Sequence, residues 1–387
     1  MFSILIFEFK KLLRNKAVLS AIVISIILMF GLVNMTFYSG QMAGSKHNPI
    51  HGVEAIKINT EIANKHSGTI NDKQILTIFE DYAKQAPNLD KKGVFNVFSH
   101  MVIYQFIENP TELLTKIHQS KEVLQFENIN LKDPKSYGNV LPLNQLKLGN
   151  FVSWNTLFMA LNGVFLIVVI TTLFICSPVF SGDSMRGIDD ILLTTQIGRT
   201  RLTLSKMLTV NLIGLVFLLT TYAVVFYLFS QSFGWSGWDT SVQCNLYWNN
   251  SLLNIMAFPT KMNLLEVCIQ LCLSQFVGLL FMLSLCLFVS SRTKNTLTTF
   301  GIVVFYYFAP GFMMQIFPSG TINKFITFLN ISTSQFEDTL MKLSSSNGFI
   351  FDDFYQNSYV LNGLRLFVSL ILMINVYYFI KHKVVKN

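Results

Sequence analysis

Hydrophobic and polar positions along this chain sort into whole segments rather than into single helix faces. Six runs are long enough, at about 20 predominantly apolar residues or more, to cross the hydrocarbon of a bilayer as helices. They are Ala17–Tyr38, Trp154–Val179, Met207–Phe229, Val267–Val289, Leu297–Phe317 and Tyr359–Ile380. The first five contain no Asp, Glu, Lys or Arg, and the sixth contains only Arg365. The stretch before the first run has a different period. Phe2, Leu5, Ile6, Phe9, Leu12 and Leu13 recur at helical spacing, with Lys10 and Arg14 on the opposite side. That pattern predicts an amphipathic helix lying half-sunk in the membrane interface, with Lys10, Lys11 and Arg14 as its basic edge.

The pattern therefore predicts an all-α polytopic membrane protein with six transmembrane helices, an N-terminal interfacial helix and a helical external domain between the first two spans. The expected boundaries are an interfacial helix at 1–16, a first span at 17–38, the external domain at 39–153 and a second span at 154–180. A charged segment follows at 181–206, then a third span at 207–229, an external loop at 230–266 and a fourth span at 267–289. A short loop at 290–296, a fifth span at 297–317, an external re-entrant segment at 318–358, a sixth span at 359–380 and a tail at 381–387 complete the chain. The first run exceeds the 7–15 residues typical of a signal-peptide core and no convincing cleavage site follows, so it is expected to remain as an anchor.

Within 39–153, Ile75, Leu76, Phe79, Tyr82 and Ala83 mark a helix over Asp72–Ala86, and Asn109-Pro110 reads as an N-cap with proline at the first helical position. Trp235, Trp238 and Trp248 of the external loop fit the aromatic belt of a membrane interface. Phe325, Ile326, Phe328 and Leu329 form an apolar cluster too short to span, as expected of a helix that dips back into the membrane.

Composition agrees with the pattern. Hydrophobic residues make up 51% and charged residues 13%, about half the charged share of a soluble domain. Charge also assigns the faces. The segments at 1–16, 181–206, 290–296 and the tail hold thirteen of the 29 Lys and Arg, including Lys381, Lys383 and Lys386, against only Glu8, Asp183, Asp189 and Asp190. The remainder of the chain is close to neutral. Lys and Arg in short loops mark the cytoplasmic side, so both termini and 181–206 are expected in the cytoplasm of a multi-pass cell-membrane protein. The basic balance then reflects topology and anionic membrane lipids, and nucleic acid is not implied. The Lys-, Asn- and Ile-rich composition suits a bacterial source.

Five cysteines show no metal-ligand spacing, and Cys268 and Cys272 read as small packing residues on one helix face. His47 and His51 are four apart but sit among Gly and Pro, so no metal site is expected. No catalytic constellation stands out. The spans lack the carboxylate or histidine relays of a proton-driven carrier. Arg365 is expected near the outer end of its span, where it can snorkel. Together with Gln275 and Asn162 it is a candidate residue of a translocation path, although interhelical hydrogen bonds account for most polar residues of this kind.

The segment 181–206, "SGDSMRGIDDILLTTQIGRTRLTLSK", is too long and too charged for a simple connection between two spans. Pro178 is expected to break the second span, Ile188, Ile191 and Leu192 to face one side of a short helix, and Gly198 to end it. Asp183, Arg186, Asp189, Asp190, Arg199 and Arg201 surround that helix. An acidic residue, a spacer, Gly187-Ile188, an acidic pair, Ile-Leu-Leu-Thr-Thr, then Gly-Arg and a later Lys form an order that resembles the ABC-type-2 export permeases. Asp183 stands where that family usually has Glu, Gly187 matches its glycine, Ile188 replaces its usual threonine, and Arg199 and Lys206 match its basic positions.

The resemblance implies a permease without an ATPase of its own, and no G-x-x-x-x-G-K-(S/T) phosphate loop occurs in the sequence. It implies two copies of a separate ABC ATPase subunit carrying ATP and Mg, no cofactor on this chain, and a second permease, the same or related. The ATPase-coupling residues are then Asp183, Arg186, Gly187, Asp189, Asp190, Arg199 and Arg201. The Phe- and Met-rich interior favours export of an apolar or amphipathic cargo, such as a peptide, a lipid-linked molecule or a drug. The alternative is a membrane sensor or immunity protein that binds an envelope-active peptide through 39–153 without transporting it.

Overall fold

The computed structural model describes residues 2–383 apart from 46–47, 86–95, 121–123, 125–128, 134–135, 137–140 and 250–252. His47, Ala86 and Lys386 of the sequence argument lie outside the described residues. Helix α1 (Phe2–Leu13) comes first, and the Asn15 side chain accepts a hydrogen bond from the Ala17 amide at the start of α2 (Lys16–Asn34). A π-helical turn, Met35–Ser39, extends that span. The segment beyond it holds β1 (Met42–Ser45), β2 (Asn48–His51), α3 (Gly52–Lys65), β3 (Gly68–Thr69), α4 (Asp72–Gln85), α5 (Val97–Phe106), α6 (Pro110–Gln119) and β4 (Lys147–Leu148). Next are α7 (Phe151–Cys176), α8 (Pro178–Met185), the short α9 (Ile188–Leu193) and α10 (Thr203–Phe233). The chain continues through α11 (Leu264–Ser290), α12 (Thr296–Ile316), α13 (Gly320–Leu329), α14 (Phe336–Leu343) and α15 (Phe354–Lys381).

Among the described residues, six helical stretches are long and apolar enough to cross a membrane: Lys16–Ser39, Phe151–Met185, Gly198–Phe233, Leu264–Ser290, Thr296–Ile316 and Phe354–Lys381. The all-α polytopic expectation holds. Side chains start two of these helices where the sequence has a capping residue: Asn295 accepts from the Leu297 amide and Asp353 from the Gln356 amide.

The chain divides into two compact units. One comprises Leu32–Leu161 and Val224–Gln270, so the external loop packs with the 39–153 segment instead of standing apart from it. The Ser241 hydroxyl accepts from the Lys147 amide, the Ser241 amide donates to the Lys147 carbonyl, and Lys147 pairs with Asp239. Helix α4 buries Ile75, Ile78, Phe79 and Tyr82, which places the expected apolar face inward. Two features depart from expectation. Short antiparallel pairs, β1 with β2 and β3 with β4, accompany the helices. Asn109 adopts a left-handed conformation (φ 49°, ψ 47°) and makes no side-chain cap, so Pro110 with its fixed φ starts α6 unaided.

The core of this unit is aromatic. Trp154 packs edge-on against Phe229 and lies beside Trp235, and Phe37 meets Phe229 and Phe233. Trp248 is 6% exposed and stacks on Phe158 at 5.2 Å. It is a core residue rather than a member of an interfacial belt, because its ring has an aromatic partner to bury against. Trp235 and Trp238 remain exposed.

Three histidines of this unit have their protonation disfavoured by burial. His66, beside Asp81 and Lys65, and His118, against the Tyr82 hydroxyl at 3.0 Å, both have pKa values lowered by desolvation, as has His100. Their folded values lie below the ordinary value near 6.5, so the unfolded chain takes up protons first as pH falls. The stability they contribute is complete above that value and is lost as pH drops through it toward the folded pKa values. Thermal unfolding of the purified protein, followed by tryptophan fluorescence, should show a lower midpoint at pH 5 than at pH 7.5. His66→Gln with His118→Gln should flatten that dependence.

Candidate functional site

The charged segment between α7 and α10 belongs to the other unit, Met1–Gly31, Asn162–Ala223 and Leu271–Asn387. Its geometry begins at Pro178, which has no N–H to donate back to the preceding turn. The helix is interrupted there as expected: α7 ends at Cys176 and α8 starts at Pro178, although Ser177 keeps helical angles (φ −50°, ψ −45°) and the chain does not change course. Ser290, at the end of α11, serves polar groups left at the interruption. Its hydroxyl accepts from the Phe180 and Ser181 amides at 3.2 and 3.1 Å and donates to the Ser177 carbonyl at 2.7 Å. A serine hydroxyl from a neighbouring helix thus satisfies groups that hydrocarbon would leave unsolvated.

Beyond Met185 the chain turns at Gly187, whose left-handed angles (φ 66°, ψ 14°) suit glycine and place α9 as a separate short helix. Gly198 does not end that helix, which stops at Leu193. It opens a π-helical turn, Gly198–Leu202, that leads into α10. A Cβ at Gly198 would lie 1.9 Å from the Leu192 carbonyl oxygen, so close backbone approach is what requires glycine here. Ile191 points outward at 70% exposure while Leu193 is buried. Met185, Ile188 and Ile197 are exposed with Ile191, the reverse of an apolar face turned inward.

The charges divide into two groups. Asp183 is 6% exposed, paired with the equally buried Lys206 of α10 and with Lys11 of α1 at 3.2 Å. Lys206 also donates to the Val179 carbonyl at 3.0 Å. A buried carboxylate held by two ammonium groups ties α1, α8 and α10 together. Asp189 accepts from the Ser184 hydroxyl at 2.7 Å and from Lys383 at 2.9 Å. Partial burial works against its charge, but these two bonds hold its pKa below the ordinary carboxylate value. Arg199 donates to the carbonyls of Leu193 and Lys381, joining α9 to the last turn of α15. Arg186, Asp190 and Arg201 are exposed and make no ion pair among the described residues.

The candidate path residues are engaged as well. Arg365 is the twelfth residue of α15 and is 4% exposed. It does not snorkel, because protein acceptors are nearer than water. Its Nε donates to the Phe328 carbonyl at 3.1 Å, and Nη2 to those of Thr327 at 3.1 Å and Asn330 at 2.5 Å. These acceptors are orphan carbonyls at the C-terminal end of α13, where a cation also complements the helix dipole. Gln275 is fully buried. Its Oε1 accepts from Tyr222, and its Nε2 donates to Asn162 at 3.2 Å and to Thr333 at 2.8 Å. The trio Arg365, Gln275 and Asn162 therefore knits helices together.

Sequence reasoning passed over Lys11, Ser290 and the carbonyl of Lys381. Lys11 was visible only as part of a basic edge, and a lone serine at a span end carries no signal. The family model for the ABC-2 family transporter protein matches residues 2–384. No curated protein and no solved structure matches the chain.

Lys206→Met leaves Asp183 buried with only Lys11, and removal of one partner from a buried pair costs about 3–5 kcal/mol. Its thermal midpoint in detergent should fall, and Lys206→Met with Asp183→Asn should recover most of the loss. Arg365→Met strips charge-assisted bonds from three carbonyls at about 1.5–3 kcal/mol each before relaxation. Amide exchange by mass spectrometry should then accelerate in the last turn of α13 more than elsewhere.

Proposed function

The chain belongs to the ABC-2 family of transporter proteins and is a permease subunit of an ABC transporter, and from that premise we propose that it exports an apolar or amphipathic cargo with a separate ATPase. The ATP and Mg sit on that partner, present in two copies, and this chain performs no hydrolysis. A second permease, a copy or a relative, completes the pathway. Both termini and the 181–206 segment face the cytoplasm of a bacterial cell, as the placement of Lys and Arg supports.

The observation that carries this reading is the division of labour within 181–206. Met185, Ile188, Ile191 and Ile197 are exposed beside Arg186, Asp190 and Arg201. An apolar centre with a charged rim is the composition of a protein interface, and the rim charges set register and encounter rate more than affinity. Directly beneath, Asp183, Asp189 and Arg199 connect α8 and α9 to α1, α10 and α15. A push by the ATPase on α9 therefore reaches three membrane-spanning stretches through charged contacts rather than through a loop. The two arrangements of the spans differ in affinity for the closed ATPase pair, and nucleotide shifts the balance between them.

An apolar cavity of about 390 Å³ supports the cargo class. It lies among α10, α11 and α15 and is lined by Leu204, Met207, Leu208, Leu280, Met373 and Tyr377, with Asn211 a polar exception. Such a space suits an apolar body with few polar groups.

Asp190→Lys with Arg201→Glu tests the docking face, because both side chains are exposed and neither makes an ion pair among the described residues. The expected result is an unchanged thermal midpoint with at least a tenfold loss of ATPase capture and of permease-stimulated ATP hydrolysis. Normal capture and stimulation would exclude this surface as the ATPase contact.

A further inference from the structure

The basic edge of α1 does more than rest on a membrane surface. A cavity of about 550 Å³ opens between α1 and α8, lined by Phe7, Glu8, Lys10, Lys11, Arg14, Pro178, Asp183 and Arg186 among others. Its two carboxylates already have cationic company. Asp183 is held by Lys206 and Lys11, and Glu8 lies 4.0 Å from the Lys11 ammonium. Three cations remain, Lys10 from α1, Arg14 just past its end and Arg186 from the turn after α8. All three are exposed, and none makes an ion pair among the described residues. They come from two elements far apart in sequence, and α1 is anchored against α8 by the Lys11–Asp183 pair, so the fold brings them to one cavity.

An excess of positive charge around a concave space selects an anion. Two guanidinium groups, each a planar fork of donors, match the oxygens of a phosphate better than those of a single carboxylate. The apolar surroundings identify where that phosphate comes from. Phe7 lines the cavity at 63% exposure, and Phe2 and Ile6 of the same helix are exposed at 77% and 37%. Leu19, Val23 and Ile27 continue that exposed apolar surface along α2. Free inorganic phosphate has no use for such a rim, whereas a phospholipid brings acyl chains for the rim and a headgroup for the cavity. Basic pockets beside membrane-spanning helices bind anionic headgroups in this manner.

We propose that the cavity between α1 and α8 binds the phosphate of an anionic phospholipid through Lys10, Arg14 and Arg186. The bound lipid would fix α1 against α8, within reach of the Asp183 cluster and one residue from the turn at Gly187. Lipid composition then bears on the position of the coupling segment.

The test uses the purified full chain in a mild detergent, with no ATPase present, so it stands or falls separately from the transport reading. Thermal midpoints are measured with added phosphatidylglycerol, phosphatidylcholine or inorganic phosphate, and native mass spectrometry counts retained lipids. Phosphatidylglycerol should raise the midpoint by several degrees and remain bound, and phosphatidylcholine should do neither. Arg14→Gln with Arg186→Gln should abolish the shift and the retained lipid. Lys57→Gln with Lys73→Gln, which removes the same charge from the other unit, should preserve both. Should the double arginine variant fail to fold, Lys10→Gln alone is expected to weaken lipid retention severalfold. The proposal is overturned if the arginine variant keeps its lipid, if phosphatidylcholine stabilises equally, or if inorganic phosphate reproduces the whole shift, which would assign the ligand to solution.

Discussion

The carboxylate of Asp183, closed in between the ammonium groups of Lys206 and Lys11, is the constraint on which the architecture around the charged segment rests. Moving a carboxylate out of water costs several kcal/mol even after relaxation, and only well-placed partners recover it. Each partner comes from a different helix, so the pair cannot form unless α1, α8 and α10 are in register. Hydrophobic packing alone would let these helices slide, because lipid tails are as apolar as leucine and offer no preference. The buried charges supply the directionality that grease lacks. Glycine at 198 and the hydroxyl of Ser290 then complete the local geometry, one by absence of bulk and the other by donating and accepting at once.

How much of this was legible in the sequence depended on the range of the signal. The spans were plain because twenty apolar residues in a row have few alternative explanations. The face of α4 was equally plain, since Ile75, Phe79 and Tyr82 repeat at a helical period. Failures came where a residue's partner lay far along the chain. Trp248 reads as an interfacial aromatic until Phe158, ninety positions earlier, stacks on it. Arg365 looked free to reach water because its three carbonyl acceptors announce nothing in sequence. Pro178 announced the interruption, but not the serine over a hundred residues away that serves the freed amides.

The candidate site shows the same division at closer range. Its place between the second and third spans was evident from charge density against an apolar background. The roles of its charges were not, since composition cannot tell a carboxylate aimed at a partner from one locked inward. Asp183 and Asp190 look alike in sequence. Burial separates them, and with it the charges tied into the fold from those left exposed. Gly198 illustrates a related limit: glycine after a helical stretch suggests a stop signal, yet here it is demanded by a carbonyl oxygen pressed against the backbone.

Arg365 carries one further implication. Three of the five N–H donors of its guanidinium are met by backbone carbonyls, and no carboxylate lies beside it among the described residues. With no carboxylate to set its place, the position of this buried charge is dictated by the carbonyls that receive it. The guanidinium and the end of α13 therefore hold each other, and neither can shift without leaving buried polar groups unsatisfied.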